Sequence, residues 1–277
     1  MIPQRMTRTA TRCFAPVAPL PLLESLWTED VTAVGSYHLL LAHDVMKDSK
    51  SENDYRNFFG RVRKQYEGDM TIIMDNSLVE LGSAVDMKMA IDAALALSAD
   101  CVVAPDVMGD GKATIDAFDT FVTTAAWHRC KEAGLGIMAV PQGPDLQTYV
   151  RCLELYADYP EVTWVGIPRI AGRPDHLGGR RDLCAIAHAI NPSWDMHLLG
   201  FSDNVIDDIL SVRCGEYPAR GIDSAVPVRA GIAGHTFRAS RSDYGPRGNY
   251  WETTEHNQLT IDNIVEIRCL VGEWEDM

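Results

Sequence analysis

The sequence predicts an α/β protein built as a (β/α)8 barrel. Three observations carry that prediction. Eight short apolar runs alternate with longer amphipathic stretches along 277 residues, the pattern of a parallel sheet covered by helices. Polar residues with Gly or Pro recur at the same end of successive runs. And the stretch Gly221-Ile222-Asp223-Ser224-Ala225-Val226-Pro227-Val228-Arg229-Ala230-Gly231 puts a lone acid into an apolar run. An unpaired charge inside a strand is costly. The C-terminal tip of a parallel strand is different, because barrel enzymes keep their chemistry on that rim. Taken alone, Asp223 also reads as a residue that opens a turn or caps a helix. A doubly wound sheet is the rival architecture, but no GxGxxG follows the first run.

In order, the first run is 13–16 and the second 37–42, with a helix expected over 52–66. Run 71–75 leads into Asp75-Asn76-Ser77, with a helix over 84–97. Run 101–106 ends in Pro105-Asp106 and precedes a helix over 111–132. Run 136–141 ends in Pro141-Gln142-Gly143, followed by a helix over 145–157. Run 163–168 closes on Gly166-Ile167-Pro168-Arg169, before a helix over 181–190. Run 197–201 closes on Gly200-Phe201-Ser202, before a helix over 203–212, and run 222–227 carries Asp223. One domain is expected over 1–277, with 232–277 as a C-terminal extension that ends in a helix.

In a parallel barrel these ends converge, so spacing alone gathers Asp75, Asp106, Gln142 and Asp223 around one pocket. Three carboxylates and an amide support acid/base or glycosyl chemistry. Displacement at a sugar C1′ needs two carboxylates, one to attack and one to manage protons. Aspartate clusters with His also hold divalent cations, which keeps metal binding as a rival. Only His38, His43 and His197 fall near strand ends, and no HxH or HExxH occurs. Such a His is more often a hydrogen-bonded core or rim residue than a ligand.

The seven cysteines are dispersed, with no CxxC or CxC. They read as reduced cytoplasmic thiols rather than a disulfide framework or a closed zinc site. No run of 18 apolar residues and no secretory leader is evident, so no membrane partner is expected. Lys and Arg number 25 against 39 Asp and Glu, a net charge of −14, which argues against a general polyanion binder. Two windows run the other way. Residues 168–181 hold Arg169, Arg173, Arg180 and Arg181 against Asp175, and residues 226–247 hold Arg229, Arg238, Arg241 and Arg247 against Asp243. Each also reads as an ordinary solvated loop.

Nine short segments, in order, resemble the tRNA-guanine transglycosylase family and its smaller relatives that act on DNA. Phe14-Ala15-Pro16-Val17 resembles FxPV, and Gly35-Ser36-Tyr37-His38-Leu39-Leu40-Leu41 resembles NTYHLxL. Asp75-Asn76-Ser77-Leu78-Val79-Glu80 stands in the place of DSGGFQ, Ala104-Pro105-Asp106 in that of the AFDE-type segment, and Val140-Pro141-Gln142-Gly143 in that of VQGG. Val165-Gly166-Ile167 stands for VGGL, and His197-Leu198-Leu199-Gly200 resembles HYLMG. The run from Asp223 to Gly231 follows DCVMPTRSG, and Thr254-Glu255-His256-Asn257 resembles the TEHN of the last helix. The resemblance covers residues 14 to 257.

That resemblance implies a TIM barrel and a base-exchange reaction with no cofactor. It makes Asp223 the nucleophile at C1′ of guanosine and Asp75 the general acid/base. Asp106 would read the amino and N1 edge of the base, while Gln142 and the Gly166-Ile167 backbone would bind its carbonyl. Leu199 and Gly200 would complete the base site, with Leu199 stacking where the family has Met. The family's zinc subdomain, CxCxxC…H, is missing: no Cys lies between Asp223 and Thr254. VGGLAVGE has become Val165-Gly166-Ile167-Pro168-Arg169, which loses the Glu that helps bind an aminomethyl group. Both departures favour the short phage-type enzymes that place a 7-deazaguanine, such as 7-cyano-7-deazaguanine, into DNA. Partners expected are guanine-containing DNA and the free 7-deazaguanine; a homodimer is compatible with this reading. The setting would be cytoplasmic, in the host cell if phage-encoded, where DNA modification serves restriction evasion. The base must leave its stack, and Phe201, Val107 and Leu199 lie where they could hold it. Arg229, Arg169, Arg173, Arg238 and Arg241 would take phosphates. An RNA-directed enzyme of the same kind and a noncatalytic nucleobase- or nucleic-acid-binding barrel are the alternatives.

Overall fold

The computed structural model describes residues 12–66, 70–172, 179–214, 219–240, 243 and 250–273. Eight parallel strands form a nearly closed (β/α)8 barrel: β1 (Cys13–Pro16), β2 (Tyr37–Leu41), β3 (Thr71–Asp75), β4 (Cys101–Val103), β5 (Gly136–Ala139), β6 (Val162–Pro168), β7 (Asp195–Leu199) and β8 (Gly221–Ser224). Their side chains alternate between two apolar layers. Tyr37, Leu39, Ile73, Cys101, Met138 and Trp164 fill the barrel interior. Leu40, Ile72, Met74, Val102, Ile137 and Leu198 face the surrounding helices. Burial on both faces is why these strands read as continuous apolar runs.

Two expected elements are corrected. The stretch 111–132 is two helices, Gly111–Phe121 and Ala125–Ala133. Thr124 interrupts it, turning its hydroxyl to the Trp127 N–H as an N-cap. The run 222–227 stops as a strand at Ser224. Val226–Ile232 is a helix with Pro227 in its first turn, where a missing N–H costs nothing. The helix expected to end the chain spans Gln258–Val271 and packs on Val226–Ile232. Asn257 caps it and also donates to the Gly231 carbonyl. Among the described residues, no helix is long and apolar enough to cross a membrane.

The hydrogen-bonded order begins at β1 and ends at β2, so one seam lacks a ladder. A buried ion pair from the C-terminal helix bridges it. Arg268 pairs with Glu273. Glu273 Oε2 accepts the Phe14 N–H at 3.1 Å, and Arg268 Nη2 donates to the Val34 carbonyl at 2.7 Å. Gly35 makes room for the guanidinium: a Cβ there would lie 2.1 Å from Arg268 Nη1, and its φ of +69° suits Gly in any case. On the opposite side, Arg180 is fully buried. It donates to the carbonyls of Ile167, Pro168, Leu199 and Gly200 and pairs with Asp208 at 3.0 Å. It is therefore a brace behind the tips of β6 and β7, not part of a basic surface as its run of arginines suggested.

Candidate functional site

A cavity of about 280 Å³ opens at the C-terminal ends of the strands. Asp75, Asn76, Glu80, Asp106, Gln142 and Asp223 line it, with Leu41, Val103, Val140, Leu199 and Phe201 among its apolar walls. The four residues that spacing gathered from separate strands therefore do meet on one rim. Asp75 ends β3, Asp223 lies within β8, and Asp106 and Gln142 follow β4 and β5.

Each carboxylate is held differently. Asp75 Oδ2 accepts the Ser77 N–H at 2.7 Å; Ser77 itself sits at φ 62°, a left-handed position rare for a residue with a side chain. Burial pushes the Asp75 carboxyl well above the usual carboxylate range. Glu80, Asp223 and Asp106 push the same way, against the Ser77 N–H. Asp106 is clamped: its Oδ1 accepts from Asn76 Nδ2 and its Oδ2 from Gln142 Nε2, both at 2.8 Å. The Gly109 N–H donates to Gln142 Oε1 at 3.1 Å and fixes that amide's orientation. Burial raises the Asp106 carboxyl too, and the two amides pull it back. On Asp223 both contacts fall on Oδ1: His197 Nε2 at 3.0 Å and the Gly200 N–H at 3.0 Å. Among the described residues Oδ2 has no hydrogen-bond partner.

This arrangement can bind the polar edge of a flat ligand, hold a proton on Asp75 and present a carboxylate oxygen on Asp223. A buried carboxylate such as Asp106, oriented by two amide donors and with further lone pairs on its oxygens, suits a ligand edge of N–H donors. If the cavity takes the bases that the transglycosylase resemblance implies, Asp106→Ala should weaken binding of guanine and of a 7-deazaguanine alike by about 1–3 kcal/mol. Calorimetry with the free bases checks this; unchanged affinity would mean that Asp106 does not read the base.

Other expected residues fall elsewhere. Gly166 and Ile167 do not line the cavity. β6 runs on to Pro168, so Pro168, Arg169 and Ile170 stand at the rim, while the Ile167 carbonyl is taken by Arg180. Gly200 lines the cavity, but its N–H is committed to Asp223 rather than open to a base. Leu199 and Phe201 are wall residues, and Phe201 is stacked on Phe14 at 6.0 Å, so its ring is fixed in the core. Val107 is exposed, and Met108 rather than Val107 reaches the cavity. Arg229 and Arg169 line the mouth. Arg238 does not; it pairs with Glu266 and lies over the Phe237 ring. Arg173 and Arg241 lie outside the described residues.

Asn76, Glu80, Tyr37 and His197 were not assigned roles from sequence, although all four sit in the quoted motifs. Asn76 and Glu80 follow β3, where spacing alone reads a turn, while Tyr37 and His197 lie within β2 and β7, where it reads core residues. Compared with known proteins, the chain matches no family model and no curated protein.

Proposed function

We propose that this protein exchanges guanine in DNA for a 7-deazaguanine, by two displacements at C1′ through Asp223. The observation that carries the reading is the pairing of two unlike carboxylates on one cavity. Asp75 is poised to hold a proton, and Asp223 has an oxygen without a partner among the described residues. In the first step Oδ2 bonds to C1′ as the C1′–N9 bond breaks. Its electron pair goes to N9, which takes the proton from Asp75. In the second step the incoming base gives its N9 proton to Asp75 and attacks C1′, and the C1′–O bond electrons return to the carboxylate. Two inversions give net retention, and the covalent sugar keeps water from leaving an abasic site. Arg229 and Arg169 at the mouth suit a phosphate on either side of an extruded nucleotide. The proposal is tested by nucleoside mass spectrometry on DNA and tRNA from cells that express the protein with a 7-deazaguanine source. Modified deoxyguanosine is expected. Modification confined to tRNA would replace DNA with RNA as substrate, and none in either would sink the proposal.

The raised pKa of Asp75 carries a pH prediction. The first displacement needs Asp75 protonated, so its rate should fall as pH rises through that elevated value. Asp75→Asn should lower the rate severely and remove this limb from the single-turnover profile. Stability follows the same sign. A carboxyl whose pKa rises on folding stabilises the fold fully below its unfolded pKa, and that contribution is lost as pH rises through the folded one. Relative to wild type, Asp75→Asn should therefore gain thermal stability toward alkaline pH. A constant difference across the scan would contradict the buried carboxyl.

Arg229→Ala should lower affinity for oligonucleotides with little base preference and reduce the salt slope by about one phosphate contact. A slope identical to wild type, from fluorescence anisotropy at graded salt, would put the phosphate track elsewhere.

A further inference from the structure

We propose that Tyr37 and His197 are positioning residues that grip one oxygen of Asp223 and thereby set Oδ2 as the reacting atom. What that oxygen attacks rests on the transglycosylase reading; the grip does not. Tyr37 Oη lies 2.8 Å from His197 Nδ1, and His197 Nε2 lies 3.0 Å from Asp223 Oδ1. The chain crosses the barrel interior from β2 through β7 to β8, and both Tyr37 and His197 are buried.

For a neutral ring, donor and acceptor arithmetic places the protons. An ionised carboxylate only accepts, so Nε2 must carry the ring hydrogen. The neutral ring then has a lone pair on Nδ1, and the Tyr37 hydroxyl is the donor that fills it. Burial holds the phenol pKa well above its ordinary value, so that donor is kept at any working pH. Without it, the carboxylate alone favours the Nε2–H tautomer, and the other form, with hydrogen on Nδ1, becomes less disfavoured. The spacing is fixed from below as well. A Cβ at Gly221 would lie 2.6 Å from Tyr37 Cε1, so the Tyr ring packs on the β8 backbone two residues before Asp223. The Gly200 N–H, whose carbonyl Arg180 holds, is the second donor on the same oxygen. Two donors on Oδ1 steady the carboxylate in one rotation. They also stabilise the charge that returns to it in the second displacement.

The test is ¹⁵N spectroscopy of histidine-labelled protein, with His197→Gln to identify the His197 signals, beside steady-state exchange. A neutral ring protonated on Nε2 is expected in wild type. In Tyr37→Phe, which keeps the ring volume, the population of that tautomer should fall measurably. Exchange should then show kcat down by about tenfold, with KM for the incoming base unchanged. His197→Leu should lose about a hundredfold or more. His197→Gln, whose amide nitrogen can occupy the place of Nε2, should recover much of that loss. A charged ring or an Nδ1-protonated ring in wild type overturns the proposal. So does an unmoved tautomer in Tyr37→Phe, or a loss of activity that follows thermal stability alone and is not rescued by Gln. If wild type exchanges no base while the tautomer still depends on Tyr37, the activity reading falls and the grip stands.

Discussion

Asp223→Ala is expected to abolish base exchange, by on the order of 10⁴-fold or more, and to abolish any covalent protein–DNA adduct. The reason lies in what a retaining displacement requires. The sugar must stay on the protein between the two steps, and only a group that can attack an oxocarbenium-like centre and later leave will serve. Asp75 cannot substitute, because burial and its acidic neighbours favour its protonated form, which is a poor nucleophile. Denaturing electrophoresis of the protein with labelled guanine-containing DNA and a nucleobase analogue reads the adduct directly. Asp75→Ala should slow exchange severely and still permit an adduct from a substrate with a better leaving group. Exchange by the Asp223→Ala protein, or exchange by wild type with no trapped adduct, would end the double-displacement assignment.

The second large effect is on stability. Arg180→Met should cost about 3–5 kcal/mol, the usual penalty for leaving one partner of a buried ion pair uncompensated. That is a large share of the roughly 5–15 kcal/mol that holds a typical domain together. Asp208 would stay buried with no cation, its remaining contact the Ser202 N–H at 2.5 Å. The carbonyls of Ile167, Pro168, Leu199 and Gly200 would also lose a donor. Urea denaturation of Arg180→Met against wild type measures the cost. Adding Asp208→Leu should recover part of it, since the orphaned charge goes too. A loss under about 1 kcal/mol would mean that the guanidinium is not a brace.

Arg180 also marks where sequence reading reaches its limit. Beside Arg181 and close to Arg169 and Arg173, it looks like one more charge in a basic loop. What buries it is Asp208, 28 residues further on, and no local pattern announces that pairing. The strands were legible for the opposite reason. Buried on both faces, they are short apolar runs, and 13–16 and 71–75 were read to the residue. β7 begins at Asp195, two residues before its apparent start, because a polar strand opening resembles a loop. Val226-Pro227-Val228 resembled strand because β-branched residues flank the Pro, yet Pro at a helix start is equally natural. At the site, Asp75, Asp106, Gln142 and Asp223 were legible because barrel geometry brings every strand tip to one rim. The Asn76 clamp and the His197 contact were not: one depends on which way a side chain turns after β3, the other on which face of β7 a residue points from.

The ion-paired seam bears on how the chain is made. β1 has only β8 as a ladder partner, and its outward N–H at Phe14 waits for Glu273, 259 residues later. At the usual 5–20 residues per second of synthesis, the Cys13–Pro16 edge stands unpaired for about 10–50 s. β1 can join the sheet once β8 is made, and its remaining N–H at Phe14 is satisfied only when the segment carrying Arg268 and Glu273 arrives. During that interval an apolar strand is open to pairing with other nascent chains. The burden of keeping this protein out of aggregates thus falls on its first strand, far from any residue that does chemistry.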